Sequence, residues 1–194
     1  MTKTKSNVKT IKIIAIGGCG CNLANHLHSV LDKNLQLLVV TFDSQSLSRS
    51  KVQSKILLTC EGKGSGGDPN VARQTAEQSE ELKNSVKDVD VVILVCGLGG
   101  GTGSGVMPHV AEVAKEAGAT VYGIVITPFD TDGPVKKKNA QEALTKLRKY
   151  TVGLKVIENE SIHKNVPESV GLLGTFKKID EIVQAEVERI VERV

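Results

Sequence analysis

Short apolar runs alternate with amphipathic stretches along most of the chain. The run Ile11 to Ile16 and the run Val91 to Val95 each lead into glycines and then into apolar residues at helical spacing. Four further apolar runs predict strands, over residues 35–42, 55–58, 120–127 and 154–157. Because strands alternate with helices, we predict an α/β fold of Rossmann-like type, with a mostly parallel sheet covered by helices on both faces.

Two of the predicted helices have boundaries that the sequence indicates. Asp68 caps one helix, Pro69 opens its first turn, and apolar spacing extends it to Val86. The last helix is predicted to begin at about Thr175, with apolar residues along one side. We therefore divide the chain into a polar, disordered tail at 1–10, one domain at 11–174 and a C-terminal helix at 175–194.

Glycine-rich loops follow three of the predicted strands. The longest, Gly97 to Gly105, has six glycines in nine residues and leads from a buried strand into an amphipathic helix. Glycines let backbone N–H groups approach an anion without a Cβ in the way, and a helix N-terminus adds unpaired donors. This position favours phosphate binding over the alternative of a flexible linker. The loops from Gly17 to Asn22 and from Gly62 to Gly67 are expected at the same edge of the sheet, since carboxyl ends of parallel strands share that edge.

Composition excludes several classes of partner. The formal net charge is only +3 and aromatic residues make up 3% of the chain, so we expect no nucleic-acid partner. No apolar run reaches the roughly 18 residues of a membrane helix. The polar, lysine-bearing start has no apolar segment of the kind found in signal peptides. We therefore expect a cytoplasmic protein without a membrane segment.

The four cysteines do not form a recognisable metal or redox motif. Cys19 and Cys21 are separated by one residue, whereas redox and zinc pairs are separated by two. Cys96 ends an apolar strand, which is typical of a small core residue. We predict reduced thiols and no metal site.

Two common nucleotide motifs fit poorly. The chain has no G-x-x-x-x-G-K-[ST] motif, which argues against a P-loop protein. Gly18 and Gly20 match the start of a dinucleotide fingerprint, but Leu23 occupies the place of its third glycine. A NAD-dependent oxidoreductase is therefore only a distant alternative.

The segment Gly99 to Gly105 resembles the signature loop of the tubulin/FtsZ superfamily, a small residue followed by Gly-Gly-Thr-Gly-Ser-Gly. Further segments resemble the other nucleotide loops of FtsZ in order and spacing, at 17–22, 41–45, 62–69, 128–129 and 157–160. The resemblance covers residues 9–194 and corresponds to the N-terminal GTP-binding domain of FtsZ and its central helix, without the C-terminal domain. It implies a cell-division or cytoskeletal protein that binds GTP or GDP, with Mg²⁺ as an optional companion of the nucleotide.

The resemblance also implies the site residues. Backbone amides near the phosphates are those of Gly18, Gly20, Cys21, Gly100, Gly101, Thr102 and Gly103. Ser65 and Gly66 are expected near the γ-phosphate. The base and ribose are expected to meet Asn22, Asp132, Lys136, Asn159, Phe176 and Asp180. Taken singly, Phe176 has the alternative of a core aromatic, Asp180 that of a solvated first-turn acid and Asn159 that of a turn residue.

Departures from the family pattern limit the functional prediction. Asp132 is one methylene shorter than the family's Glu, and Lys136 replaces an Arg whose fork it cannot reproduce. The family's acidic catalytic loop belongs to a second domain, and no residue of this chain is predicted to be catalytic. We expect GTP binding with weak hydrolysis, in a module that self-associates or docks on a full-length FtsZ-like subunit. The alternative is a GTPase completed by a partner's catalytic loop.

Overall fold

The computed structural model describes residues 9–60, 64–167, 169 and 171–194. The predicted disordered tail therefore lies almost entirely outside the described residues, as does the start of the 62–67 loop. Thr10 belongs to the predicted tail, but hydrogen bonds connect it to Asp90 and Val91. Its N–H donates to the Asp90 carboxylate at 2.7 Å, and its carbonyl accepts from the N–H groups of Asp90 and Val91.

A six-stranded parallel sheet forms the centre of the protein, which confirms the predicted fold class. Its strand order is β3-β2-β1-β4-β5-β6. The strands are β1 (Ile11–Ile16), β2 (Gln36–Thr41), β3 (Ser54–Leu57), β4 (Val91–Gly97), β5 (Thr120–Thr127) and β6 (Gly153–Glu158). The apolar β1 and β4 pair with each other along their whole length, from Ile11 opposite Val91 to Ile16 opposite Cys96. Central parallel strands are apolar on both sides because helices cover both faces of the sheet.

In the described part of the chain, eight α-helices connect the strands and cover the sheet. They are α1 (Gly17–Val30), α2 (Ser44–Arg49), α3 (Pro69–Gln78), α4 (Glu80–Ser85), α5 (Gly101–Glu116), α6 (Pro134–Tyr150), α7 (Asn159–Lys164) and α8 (Gly171–Arg193). One core cluster joins the sheet to α3, α5 and α6, and another joins it to α1 and α8. Ile179, Val183, Val187 and Ile190 of α8 are all buried in the second cluster, as their i, i+4 spacing indicated.

Two predicted helix boundaries were wrong. The helix that begins at Pro69 does not continue to Val86, because the chain leaves helical geometry at Ser79. The Ser79 hydroxyl accepts a hydrogen bond from the N–H of Leu82 at 3.2 Å and so caps a separate helix, α4. The last helix begins at Gly171 rather than at about Thr175. Strand ends differ from the predicted ones by no more than one residue, except that β4 ends at Gly97, two residues beyond the predicted run.

The contact between α3 and α5 encloses a histidine. His109 of α5 is only 7% exposed, and among the described residues neither of its ring nitrogens has a hydrogen-bond partner. Its Nδ1 lies 3.9 Å from a carboxylate oxygen of Glu112, which is itself bonded to Arg73 and Tyr150. Burial lowers the pKa of His109 below its ordinary value. Glu77 and Glu112 oppose this shift, and the cations Arg73 and Lys83 reinforce it.

The buried imidazole predicts a pH dependence of stability. The unfolded chain takes up a proton on this histidine near pH 6.5, whereas the folded chain does so only at lower pH. The free energy of unfolding should therefore be highest above pH 6.5 and fall on acidification, by at most about 1.4 kcal/mol per pH unit. Urea denaturation at pH 7.5 and pH 5.5 measures this loss.

The variant His109→Phe should lose less stability between these two pH values than the unchanged protein. The variant His28→Gln, at an exposed position on α1, serves as the control and should retain the full pH dependence. An equal pH dependence in His109→Phe and the unchanged protein would assign the effect to other groups.

Candidate nucleotide site

A cleft of about 480 Å³ opens at the carboxyl ends of β1, β4 and β5. The loop after each strand contributes to it, which places the first and central glycine loops on one site. Of the predicted site residues, those that line the cleft are Gly18, Gly100, Gly101, Thr102, Gly103, Asp132, Lys136, Asn159 and Phe176. A cleft at this edge, beside two central strands, is where open parallel sheets bind ligands.

The floor of the cleft is formed by two helix N-termini. Helix α1 begins at Gly17 and helix α5 at Gly101; neither has a side-chain cap or an acidic residue in its first turn. The N–H of Ser104 makes the first helical bond of α5, to the carbonyl of Gly100, so the three preceding N–H groups have no intrahelical acceptor. Two uncapped helix N-termini provide free donors and partial positive charge for an anion.

Gly20 and Cys21 do not line this cleft, and the structure gives them packing roles instead. They are the fourth and fifth residues of α1, where helical geometry directs the N–H groups to carbonyls of the preceding turn. A Cβ on Gly20 would lie 2.9 Å from the carbonyl carbon of Ala15. Cys21 is buried with Ala24, Val39 and Val52. The free N–H groups of α1 belong to the residues just before them, Gly17 to Cys19. Asn22 is exposed on α1 and also lies outside the cleft lining.

Ser65 and Gly66 border the start of α5 without lining the cleft. A Cβ on Gly101 would lie 2.5 Å from the Ser65 hydroxyl and 2.7 Å from the carbonyl carbon of Gly67. The Ser65 side chain is nearly buried, and its carbonyl accepts from the N–H of Asp68 at 3.0 Å. Gly66 is exposed, with a φ of 60°. The third loop is therefore next to the central one, as predicted, because a glycine at 101 permits the contact.

Asp132 and Lys136 form an ion pair at the rim of the cleft. The Lys136 ammonium lies 2.5 Å from one Asp132 oxygen, and the other oxygen accepts from the N–H of Phe129 at 2.9 Å. The hydrogen bond from Lys136 lowers the pKa of Asp132 below its ordinary value. Both predicted residues thus lie at the cleft, and each neutralises the charge of the other.

Asn159 and Phe176 form the upper wall of the cleft. The Oδ1 atom of Asn159 is buried and has no hydrogen-bond partner among the described residues. An orphaned acceptor in a cleft is costly unless a ligand supplies a donor. Phe176 is 48% exposed, so it is not the core aromatic of the alternative interpretation. Its ring lies 6.5 Å from that of Phe129, at an interplanar angle of 71°.

Asp180 is not among the lining residues, but its charge affects the thiol of Cys19, which does line the cleft. The pKa of Asp180 is raised by burial, an effect that nearby His26 opposes. Its negative charge in turn contributes to raising the pKa of the Cys19 thiol. A half-buried carboxylate with a raised pKa does not fit the alternative of a solvated first-turn acid.

Several residues that line the cleft were not assigned as individual site residues from the sequence, although some belong to the predicted nucleotide loops. They are Ile16, Gly17, Cys19, Gly97, Leu98, Ile126, Thr127, Pro128 and Phe129. The position of Cys19 follows from Gly97, where a Cβ would lie 2.9 Å from the Cys19 Cβ and 3.0 Å from its sulfur. Phe129 lies two residues after the end of β5, in the segment 128–129 that the resemblance had already placed among the nucleotide loops.

Comparisons with known proteins agree with this geometry. Residues 10–167 match the model of the tubulin/FtsZ family, GTPase domain. The chain belongs to this family. It is 37% identical over 188 residues to cell division protein FtsZ 1 of Methanocaldococcus jannaschii and 36% identical to that of Pyrococcus furiosus. These matches cover 95% of this chain but only 51% and 50% of the relatives. The chain thus spans about half the length of the curated relatives that it matches.

Two solved structures show the same fold. An empty FtsZ dimer from M. jannaschii has a TM-score of 0.87 and 36% identity, over 97% of this chain and 56% of the other. CetZ2 from Haloferax volcanii, solved as a GTPgS-bound protofilament, has a TM-score of 0.79 and 22% identity, over 94% and 58%. The tubulin/FtsZ family is a guanine-nucleotide-binding family of cell division and the cytoskeleton.

The described part of the chain contains neither a candidate membrane helix nor a candidate metal cluster. None of the helices there is both long and apolar enough to cross a membrane. Nor does any group of three or more His, Cys, Asp or Glu side chains stand where it could hold a metal ion.

The Cys19 thiol gives a test of the geometry of the cleft. Cys19 is exposed as a residue, but protein atoms surround its sulfur. The resulting desolvation, together with the smaller effects of the Asp180 and Cys21 charges, raises the pKa of Cys19 to about 11. Since the thiolate is the reactive form, alkylation by iodoacetamide should be slow at pH 7 and rise about tenfold per pH unit to pH 10. An ordinary thiol, with a pKa of about 8.5, would level off above pH 9.

Mass spectrometry of the peptide containing Cys19 measures this rate, with Cys21→Ala as the background so that the peptide has one thiol. The double variant Cys19→Ser, Cys21→Ala is the control and should show no alkylation of that peptide. A rate that levels off at pH 9 would contradict the crowded position of the sulfur.

Proposed function

We propose that this chain binds GTP or GDP in the cleft, as the nucleotide-bearing part of a GTPase site that is completed by another subunit. The observation that supports it most directly is the pair of uncapped helix N-termini, α1 and α5, that face one cavity. Phosphates are the anions that such an arrangement suits best. The family relationship makes a guanine nucleotide the expected ligand, and CetZ2 of the same fold was solved with GTPgS bound.

Selectivity for guanine is assigned to Asp180 and Asn159. A carboxylate can accept from N1–H and N2–H₂ of guanine together, whereas adenine offers no such pair of adjacent donors. The orphaned Oδ1 atom of Asn159 supplies a second acceptor beside Phe176. Phe176 provides an exposed aromatic face on which a base can stack.

Asp132 and Lys136 are proposed to meet the ribose and phosphates after their mutual ion pair opens. At 52% exposure, the Lys136 side chain is mobile enough to turn toward a phosphate. Mg²⁺ has no cluster of protein ligands among the described residues. It enters the proposal only as a companion of the nucleotide, held by phosphate oxygens and water.

Hydrolysis by this chain alone is proposed to be weak. Positioning of water and stabilisation of charge supply most of the catalysis of phosphoryl transfer. None of the predicted site residues is placed as a general base, and the family resemblance assigns the water-positioning loop to a neighbouring subunit. The chain therefore either modulates filaments of a full-length FtsZ-like subunit or becomes an active GTPase on receiving that subunit's loop.

The variant Asp180→Ala should weaken GTP affinity by about 1–3 kcal/mol, because it leaves donors on the buried base without an acceptor. Isothermal titration calorimetry measures the change. Glu181→Ala, an exposed acid next along α8, is the matched control and should bind GTP like the unchanged protein. Equal affinities of Asp180→Ala and the control would remove Asp180 from the site. Purification with NAD and without guanine nucleotide would instead favour the oxidoreductase alternative.

Mixing this chain with a full-length FtsZ such as that of M. jannaschii tests the composite site. A chain that caps filaments should lower GTP turnover and pelleting of the partner in proportion to its amount. A chain that receives the partner's loop should assemble with it and leave turnover per site unchanged or increased. The control is Gly101→Val, whose added side chain collides with Ser65 and Gly67 at the start of α5. No dose-dependent change in turnover or pelleting would contradict both forms of partnership.

A further inference from the structure

Three aromatic rings form a row along one side of the cleft. Phe129 lies in the middle, with its ring centre 5.9 Å from that of His163 and 6.5 Å from that of Phe176. The interplanar angles are 89° and 71°, so each contact is edge-to-face, a preferred geometry of aromatic pairs. Phe129 and Phe176 line the cleft, whereas His163 contacts Phe129 without lining the cleft itself.

Phe129 and Phe176 therefore meet nearly at a right angle and form a corner. A flat ligand that stacks on Phe176 would present its edge to the ring of Phe129. The backbone of Phe129 is held in place for this by Asp132. The N–H of Phe129 donates to the Asp132 carboxylate at 2.9 Å, and its carbonyl accepts from the N–H of Asp132 at 3.1 Å.

His163 connects Phe129 to the helix that carries Phe176. Its Nδ1 is 2.9 Å from the hydroxyl of Thr175, which is fully buried and directly precedes Phe176. Thr175 also bonds to the carbonyl of Gly171, at 3.3 Å. The imidazole thus connects α7 to the first turn of α8 and at the same time contacts Phe129. It lies one helical turn after Asn159 on the same side of α7, since residues four apart are neighbours on a helix.

We propose that Phe129 is a second aromatic contact for the base of a bound purine nucleotide and that His163 is the residue that positions it. The contact would fix the rotation of the base about the Phe176 stack and so present its polar edge to Asp180 and Asn159. This inference rests on the proposed function, because it assigns further residues to the same nucleotide site.

The test compares GDP with inorganic tripolyphosphate, which occupies the phosphate region but has no base. Calorimetry on His163→Ala and Phe129→Leu should give GDP affinities about three- to tenfold weaker than that of the unchanged protein, the range expected for loss of one aromatic contact. Tripolyphosphate should bind both variants within about twofold of the unchanged protein. The variant His163→Phe, which keeps a ring against Phe129, should regain most of the lost GDP affinity.

Ser161→Ala, an exposed position on the same helix, is the matched control and should bind both ligands normally. GDP affinity unchanged in His163→Ala and Phe129→Leu would overturn the inference and leave the proposed function intact. Equal weakening of GDP and tripolyphosphate would also overturn it, because it would indicate general disruption of the cleft. Failure of the unchanged protein to bind GDP would overturn the proposed function itself and the inference with it.

Discussion

Close approach of backbone to backbone is the constraint on which the rest of this structure depends. At Gly103 a Cβ would collide with the carbonyl oxygen of Gly97, and at Gly105 it would collide with that of Pro69. At Gly101 it would press on the loop that contains Ser65. The start of α5 can therefore touch both β4 and the third loop only if these positions have no side chain. The same absence leaves the N–H groups of its first turn open to the cleft.

The electrostatics of the cleft suit an anion because the carboxylate that lines it is paired with a cation and the thiol that lines it is protonated at neutral pH. Asp132 is paired with Lys136, and Asp130 outside it is paired with Lys137 at 2.6 Å. Crowding raises the pKa of the Cys19 thiol to about 11, so the thiol carries no charge at neutral pH, and Asp180 lies outside the lining of the cleft. The partial positive charge of two helix N-termini is then not cancelled at the floor of the cleft.

The cleft is divided chemically into two ends. The floor between α1 and α5 offers backbone donors and glycines, which suit phosphate oxygens. The wall between α7 and α8 offers the aromatic ring of Phe176 and the amide of Asn159, which suit a base. The wall and the α1 side of the floor rest on one core cluster, whereas the α5 side of the floor rests on the other, so a ligand in the cleft would contact both layers of the fold.

The sequence by itself determined the order of strands and helices, the parallel sheet and the edge where the glycine loops meet, because apolar periodicity and loop composition are local properties. The family pattern also located half of the cleft lining, including Thr102 and Phe176. The break at Ser79 is a local feature, a serine cap that apolar spacing does not reveal. The packing roles of Gly20 and Cys21, and the contacts of Cys19 with Gly97 and of Phe129 with His163, were decided only by the tertiary structure. Each depends on how closely two elements distant in the chain approach, and no local pattern specifies that distance.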